Sequence, residues 1–215
     1  AVLTPAEGHL LQLSLTGNRS YPEYWAVTSA KGYTDGGYGE VTGTPGLRPA
    51  KDYQVQLVYL LHGKYQLALW FQHVDDYFVQ TCYQRQDRLV LDYRHVNFDF
   101  RQQAGLMVYA PVRVGQWLQT SASAYLLWNR EKDSDFHDLP FDRHIVSVMA
   151  NVRSTVTLSP ALSVNVNAFA RTKTYQGLFD LPASGNLTVE LVGRMLKQRL
   201  TVKAYATNLL RTNAI

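Results

Sequence analysis

Six histidines, at 9, 62, 73, 95, 137 and 144, are the side chains of this 215-residue chain best suited to holding a transition metal. None forms a His-x-x-x-His pair on a helix or a Cys/His cluster, and the single cysteine, Cys82, leaves no Cys-pair site and no intrachain disulfide. Glu131, Asp133, Asp135 and Asp138 have the composition of a calcium loop. They lack its sharp-turn glycine and its terminal bidentate glutamate, so 130–138 reads as a solvated charged loop. No Gly-x-Ser-x-Gly elbow or phosphate-binding loop occurs. Carboxylate pairs for acid/base chemistry cannot be placed without a fold. The expectation is therefore no metal, no cofactor and no enzyme.

Binding chemistry is better represented. Tyr21, Tyr24, Trp25, Tyr33 and Tyr38 crowd one stretch, with Gly32, Gly36, Gly37 and Gly39 between them. Flat rings on a flexible loop suit stacking against a sugar or an aromatic chelator, with large contact area at low entropic cost. The alternative is that the loop packs on itself and anchors at a membrane interface. Net charge is +4, with Lys and Arg scattered rather than gathered into an aromatic-interleaved stripe, so nucleic-acid binding is not expected.

The elements that carry these residues are strands. In 159–175, Leu162, Val164, Val166, Ala168 and Ala170 alternate with Ser163, Asn165, Asn167 and Arg171, which gives one apolar and one wet face. The same alternation recurs in Asn186–Met195 and Arg199–Thr207. Read from the front, it predicts nine wall strands: His9–Arg19, Tyr53–Leu61, Tyr65–Val74, Phe98–Ala110, Gln116–Asn129, Asp142–Leu158, the segment from Ser159 to Tyr175, and the two just named. Short turns and long loops alternate between them, as in transmembrane barrels with short periplasmic turns and long extracellular loops. No run of about eighteen apolar residues marks a transmembrane helix. The expected fold is all-β: an antiparallel up-and-down meander, part of a transmembrane β-barrel, as one unit over 1–215, with 75–96 projecting as a β-hairpin. Nine is odd where single-chain bacterial barrels are even, and 211–215 reads as the opening of a loop, so the chain reads as a segment of a larger barrel.

Three stretches carry a family likeness. Ser20-Tyr21-Pro22-Glu23-Tyr24-Trp25 follows the first strand, Gly43-Thr44-Pro45-Gly46-Leu47-Arg48-Pro49 precedes the second, and Arg199–Leu209 forms a late strand ending in an Asn-Leu step. In these the chain resembles the C-terminal barrel region of TonB-dependent outer-membrane receptors, in particular the Bacteroides-type outer-membrane β-barrel family. It departs at Thr44 (usually Asn), Ala50 (usually Glu) and Leu210 (usually aromatic). The resemblance implies residence in the outer membrane of a Gram-negative bacterium. It also implies uptake of a bulky scarce ligand, such as a siderophore, a cobalamin-like cofactor or a glycan. The partners it implies are outer-membrane lipid, an N-terminal plug of the same full-length protein, the TonB complex engaged through that N-terminal part, and the small-molecule or glycan ligand. The plug and a final aromatic-ended strand are not found in these residues.

On the lumen register fall Arg101, Arg143, Arg153, Arg171, Arg194 and Lys203, with Glu190 as the acidic member. They read either as a positive passage for an anionic substrate or as polar residues that a wet lumen tolerates, some paired with acidic groups of the plug. Two rival functions remain: a secreted or surface β-sandwich that binds glycans, and a passive porin or structural barrel. Sandwiches favour shorter strands and Greek-key crossings.

Overall fold

The computed structural model describes residues 1–211. The first strands are β1 (Val2–Leu3), β2 (His9–Ser20), β3 (Lys31–Thr34), β4 (Gly39–Thr42), β5 (Ala50–Leu61) and β6 (Tyr65–Asp75). Next come β7 (Phe78–Gln84), β8 (Leu91–Asn97), β9 (Phe100–Val114), β10 (Leu118–Phe136) and β11 (Leu139–Ser159). The chain continues through β12 (Leu162–Arg171), β13 (Thr174–Gln176), β14 (Phe179–Leu181), β15 (Ser184–Met195) and β16 (Leu200–Ala206). One short helix, α1 (Tyr24–Val27), follows β2.

The wall is a single antiparallel sheet of ten strands in the order β1-β2-β5-β6-β9-β10-β11-β12-β15-β16. Nine of these are the long strands that the alternation predicts; the tenth is the two-residue β1 against β2. Consecutive long strands are neighbours throughout, a plain meander. Among the described residues no second sheet packs against the wall to make a sandwich core.

Pairing register turns the alternation into two continuous faces. On one, Val55, Phe71, Ala104, Trp128 and Val146 lie side by side across five strands. Further round, Val166 stands between Ser154 and Val189, and Leu191 between Val164 and Ala204. Many of these apolar residues are left without cover, among them Leu69, Leu126, Val148 and Val202. Along β10 the outward residues run from Leu118 to Trp128. Ten steps of about 3.3 Å, tilted by about 40°, span roughly 25 Å, the height of the apolar band of outer-membrane barrels. The outward polar pair Thr120 and Ser154 hydrogen-bond to each other at 2.9 Å, so neither hydroxyl is left unpaired towards lipid. The row above the Trp128 row is polar: Tyr53, His73, Gln102, Arg130 and His144. The membrane-spanning segments end between these two rows.

Part of the buried apolar core lies beyond the wall. Among the described residues the buried apolar side chains Ala50, Ala68, Val74 and Val192 come from wall strands, and Phe98, Val79, Tyr175, Ala26 and Leu47 from the connections at the long-loop end. A four-stranded sheet, β3-β4-β8-β7, is built there from two separate connections, with β4 and β8 parallel. It is tied to the wall through Phe98, whose ring packs against Phe136 at 5.7 Å and Phe141 at 5.0 Å.

Three expectations are corrected here. Residues 130–138 are not a loop: β10 and β11 carry on as a paired hairpin to a turn at His137 and Asp138, both with positive φ. The long loops expected between the first and second predicted strands and between the seventh and eighth are also built: 20–51 hold α1, β3 and β4, and 176–185 is largely taken up by the end of β13, β14 and the start of β15. Of the loop opening expected at 211–215, residues 212–215 lie outside the described residues.

Candidate functional site

On the lumen face, just past the lipid band, register puts Glu131 directly between Arg101 on β9 and Arg143 on β11. Glu131 is 2% exposed, and its Oε2 has no hydrogen-bond partner among the described residues. Burial raises its pKa above the ordinary carboxylate range, against the opposing pull of Arg101, Asn129, the Gly177 backbone N–H and Arg143. Tyr77 brings its ring to 4.3 Å from the Arg101 guanidinium, and Tyr175 its ring to 4.5 Å from that of Arg143. The Tyr175 hydroxyl donates to the Arg143 carbonyl at 2.7 Å and the Asn129 carbonyl at 3.2 Å. Both phenols are held above their usual pKa, chiefly by burial. Arg143 also pairs with Asp180 and donates to the Leu178 carbonyl, so the β13–β14 hairpin is fastened to the wall through this cluster.

This changes the charge balance of the predicted basic face. Glu131 and Asp180 join Glu190 as acidic members, and Lys203 pairs with Glu190 at 3.0 Å. Glu131 is missed when the charged run is read as loop; the signal for it is that the 127, 129, 131, 133 parity continues unbroken from the strand below. Arg153 donates to Asn167 Oδ1 at 3.0 Å. It helps line a lumen-face cleft of about 330 Å³ with Tyr109, Ser121, Ser123 and Asn151. Arg171 lies beside Ser184 and Met149, its Nε enclosed and without a partner among the described residues, while Arg194 stands near the short-turn end opposite Thr201. The six cations are thus spread over the height of the wall and are not one patch.

The five aromatic residues of the first connection are all exposed, and among the described residues no ring contact joins any two of them. Tyr33 lies on β3 and Tyr38 just before β4, while Tyr24 and Trp25 lie on α1 with Tyr21 ahead of it. Trp25 packs edge-on against His95 at 5.0 Å and donates through its indole N–H to Glu23. Burial holds the His95 imidazole below its ordinary pKa. The other histidines are dispersed: His9 bonds Tyr59, His73 lies between Asp75 and Gln102, and His137 stacks on Tyr83. Asp133 is buried beside Asp99 and Asp135, and its carboxyl is raised mainly by desolvation. Cys82 is a free thiol on β7.

An antiparallel meander with one face apolar over the height of a bilayer, the other polar, and a folded cap at its long-loop end is the wall of a transmembrane β-barrel. The chain belongs to the outer membrane protein beta-barrel family, which it matches over residues 3–215. Comparison with curated proteins gave no match. Family membership places the protein in the bacterial outer membrane.

Proposed function

We propose that the protein is a receptor that takes part in TonB-dependent uptake of a bulky, scarce ligand, such as a siderophore, a cobalamin-like cofactor or a glycan, and that it catalyses no reaction. The observation that carries this reading is the cap. The long connections are built as strands β3, β4, β7, β8, β13 and β14 and held on the wall by Phe98 and by the Glu131 cluster. Loops fixed before a ligand arrives lower the ordering cost of binding it, which serves recognition and has no use in passive diffusion. Lipid surrounds the outward face, the polar inward face is where an N-terminal plug of the same protein docks, and that N-terminal part engages the TonB complex.

The test is accumulation of ferric siderophores, cobalamin and labelled oligosaccharides by cells that carry or lack the protein, with TonB present or deleted. Accumulation of one class that requires both supports the receptor. Uptake unchanged by TonB deletion would make the protein a passive porin.

A further inference from the structure

Where the tip of β7–β8 meets the tip of β10–β11, a cleft of about 370 Å³ opens, within the range of small-ligand sites. Its floor is Asp92, 5% exposed on β8. One oxygen of Asp92 accepts from Arg94 Nη2, and its other oxygen, Oδ1, has no partner among the described residues. The Nε of Arg94 is likewise enclosed and without a partner among the described residues. The two residues are two positions apart on one strand, so they share a face. On the rim, Arg85 holds Asp87 through two parallel bonds of 2.8 and 2.9 Å. The remaining wall is the Tyr83 ring stacked on His137, with centroids 4.0 Å apart and planes within 11°.

These features select a ligand class. Guanidinium and carboxylate charges balance, two against two, so a polyanionic iron chelate would meet the repulsion of Asp87 and Asp92 as well as the attraction of the arginines. The unpaired groups are one donor and one acceptor. A phosphate or carboxylate could accept from Arg94 but not donate to Asp92, and an ammonium could donate but not accept. A hydroxyl does both at once. Next to them the stacked rings offer a flat apolar plane, suited to the C–H face of a sugar ring. We infer that this cleft is a binding site for a neutral, hydroxyl-rich ligand, a saccharide unit, gripped between the Asp92/Arg94 pair and the Tyr83/His137 stack. The inference deepens the receptor reading and rests on it for the role of binding in uptake.

The test uses intact cells that carry the protein in their outer membrane. Probes are fluorescein-labelled neutral hexasaccharides of glucan, mannan, xylan and galactan type, with a ferric tris-catecholate chelate as the anionic comparison. Saturable binding of at least one neutral oligosaccharide is expected, weakened at least tenfold by Asp92→Asn and by His137→Asn. The second variant removes the ring at an exposed turn while keeping a residue that tolerates positive φ. It decides the matter should Asp92→Asn fail to reach the membrane. No binding of any neutral oligosaccharide, binding that His137→Asn leaves at wild-type strength, or binding of the ferric chelate that the variants abolish would overturn the site. The same cells lacking TonB separate the two claims. Variant-sensitive binding without TonB-dependent accumulation refutes the import reading and keeps the site, whereas TonB-dependent accumulation indifferent to both variants refutes the site alone.

Discussion

Val166 lies at the middle of the outward residues of β12, which are Leu162, Val164, Val166, Ala168 and Ala170, paired with Ser154 on one side and Val189 on the other. In a wall whose apolar band is about 25 Å tall, that position is close to the bilayer midplane, where an arginine on the lipid face costs about 2–4 kcal/mol. Val166→Arg is expected to lower the folding equilibrium constant roughly 30- to 700-fold, since each 1.4 kcal/mol is a factor of ten. Thr188→Arg, one residue from Val189 but on the lumen face, puts the same charge into water-accessible space and is expected to change stability by less than about 0.5 kcal/mol. The assay is equilibrium urea unfolding of the protein in phospholipid vesicles, followed by tryptophan fluorescence. A Val166→Arg protein as stable as wild type, or a Thr188→Arg protein destabilised as much as Val166→Arg, would refute the assignment of faces.

Other consequences follow from the cap and the lumen. The Trp70 ring lies over Gly105 on the neighbouring strand and occupies the space a Cβ would take, so Gly105→Ala is expected to cost about 1–3 kcal/mol in the same urea assay and to alter the Trp70 emission. Tyr175→Phe removes the donor to the Arg143 and Asn129 carbonyls, and hydrogen exchange of the β13–β14 hairpin is expected to speed up by about 1 kcal/mol of lost protection. Glu131 has its pKa raised in the folded cap, so the ionised form opposes docking at neutral pH. Cap protection should rise as pH falls through the raised value, be complete below about 4.3, the unfolded value, and be lost again on return to neutrality. Glu131→Gln should show the protected behaviour at both pH 7 and pH 5. A wild-type profile that stays flat over this range, or a Glu131→Gln profile that keeps the rise, would count against that residue as the titrating group.

The wall was legible because lipid enforces it. Every outward position of β12 and β16 has to be apolar while its neighbours face water, so the period of two survives in Leu162–Ala170 and Leu200–Ala206 without any partner being known. Above the Trp128 row that demand ends. Arg130, Lys132 and Asp142 face outward, and Glu131, Asp133 and Arg143 inward, so both faces of β10–β11 are charged and the hairpin carries the composition of a loop. The cap was illegible for another reason. β3 and β4 are four residues each, and β4 finds its second partner, β8, about fifty residues away in a parallel pairing that no local pattern announces. Pairing register sets Arg101, Arg143, Arg153, Arg171, Arg194 and Lys203 opposite the apolar face, but alternation alone names no partner for any of them. Asp180 lies in a three-residue strand, and Glu131 in the stretch that composition assigned to solvent. The rings of the first connection were expected as a group. They are exposed and, among the described residues, not joined: Tyr24 and Trp25 lie on α1 with Tyr21 ahead of it, whereas Tyr33 and Tyr38 belong to the β3–β4 hairpin.

The orientation of the wall in the membrane is open to one direct measurement. With Cys82→Ser as background, Leu139→Cys puts a thiol at the exposed tip of β10–β11, and Gln116→Cys puts one in the short turn between β9 and β10. In intact cells a membrane-impermeant maleimide is expected to label Leu139→Cys and to leave Gln116→Cys unlabelled until the cells are lysed. Labelling of Gln116→Cys alone in intact cells would invert the topology, and equal labelling of both before lysis would contradict a wall that crosses the outer membrane.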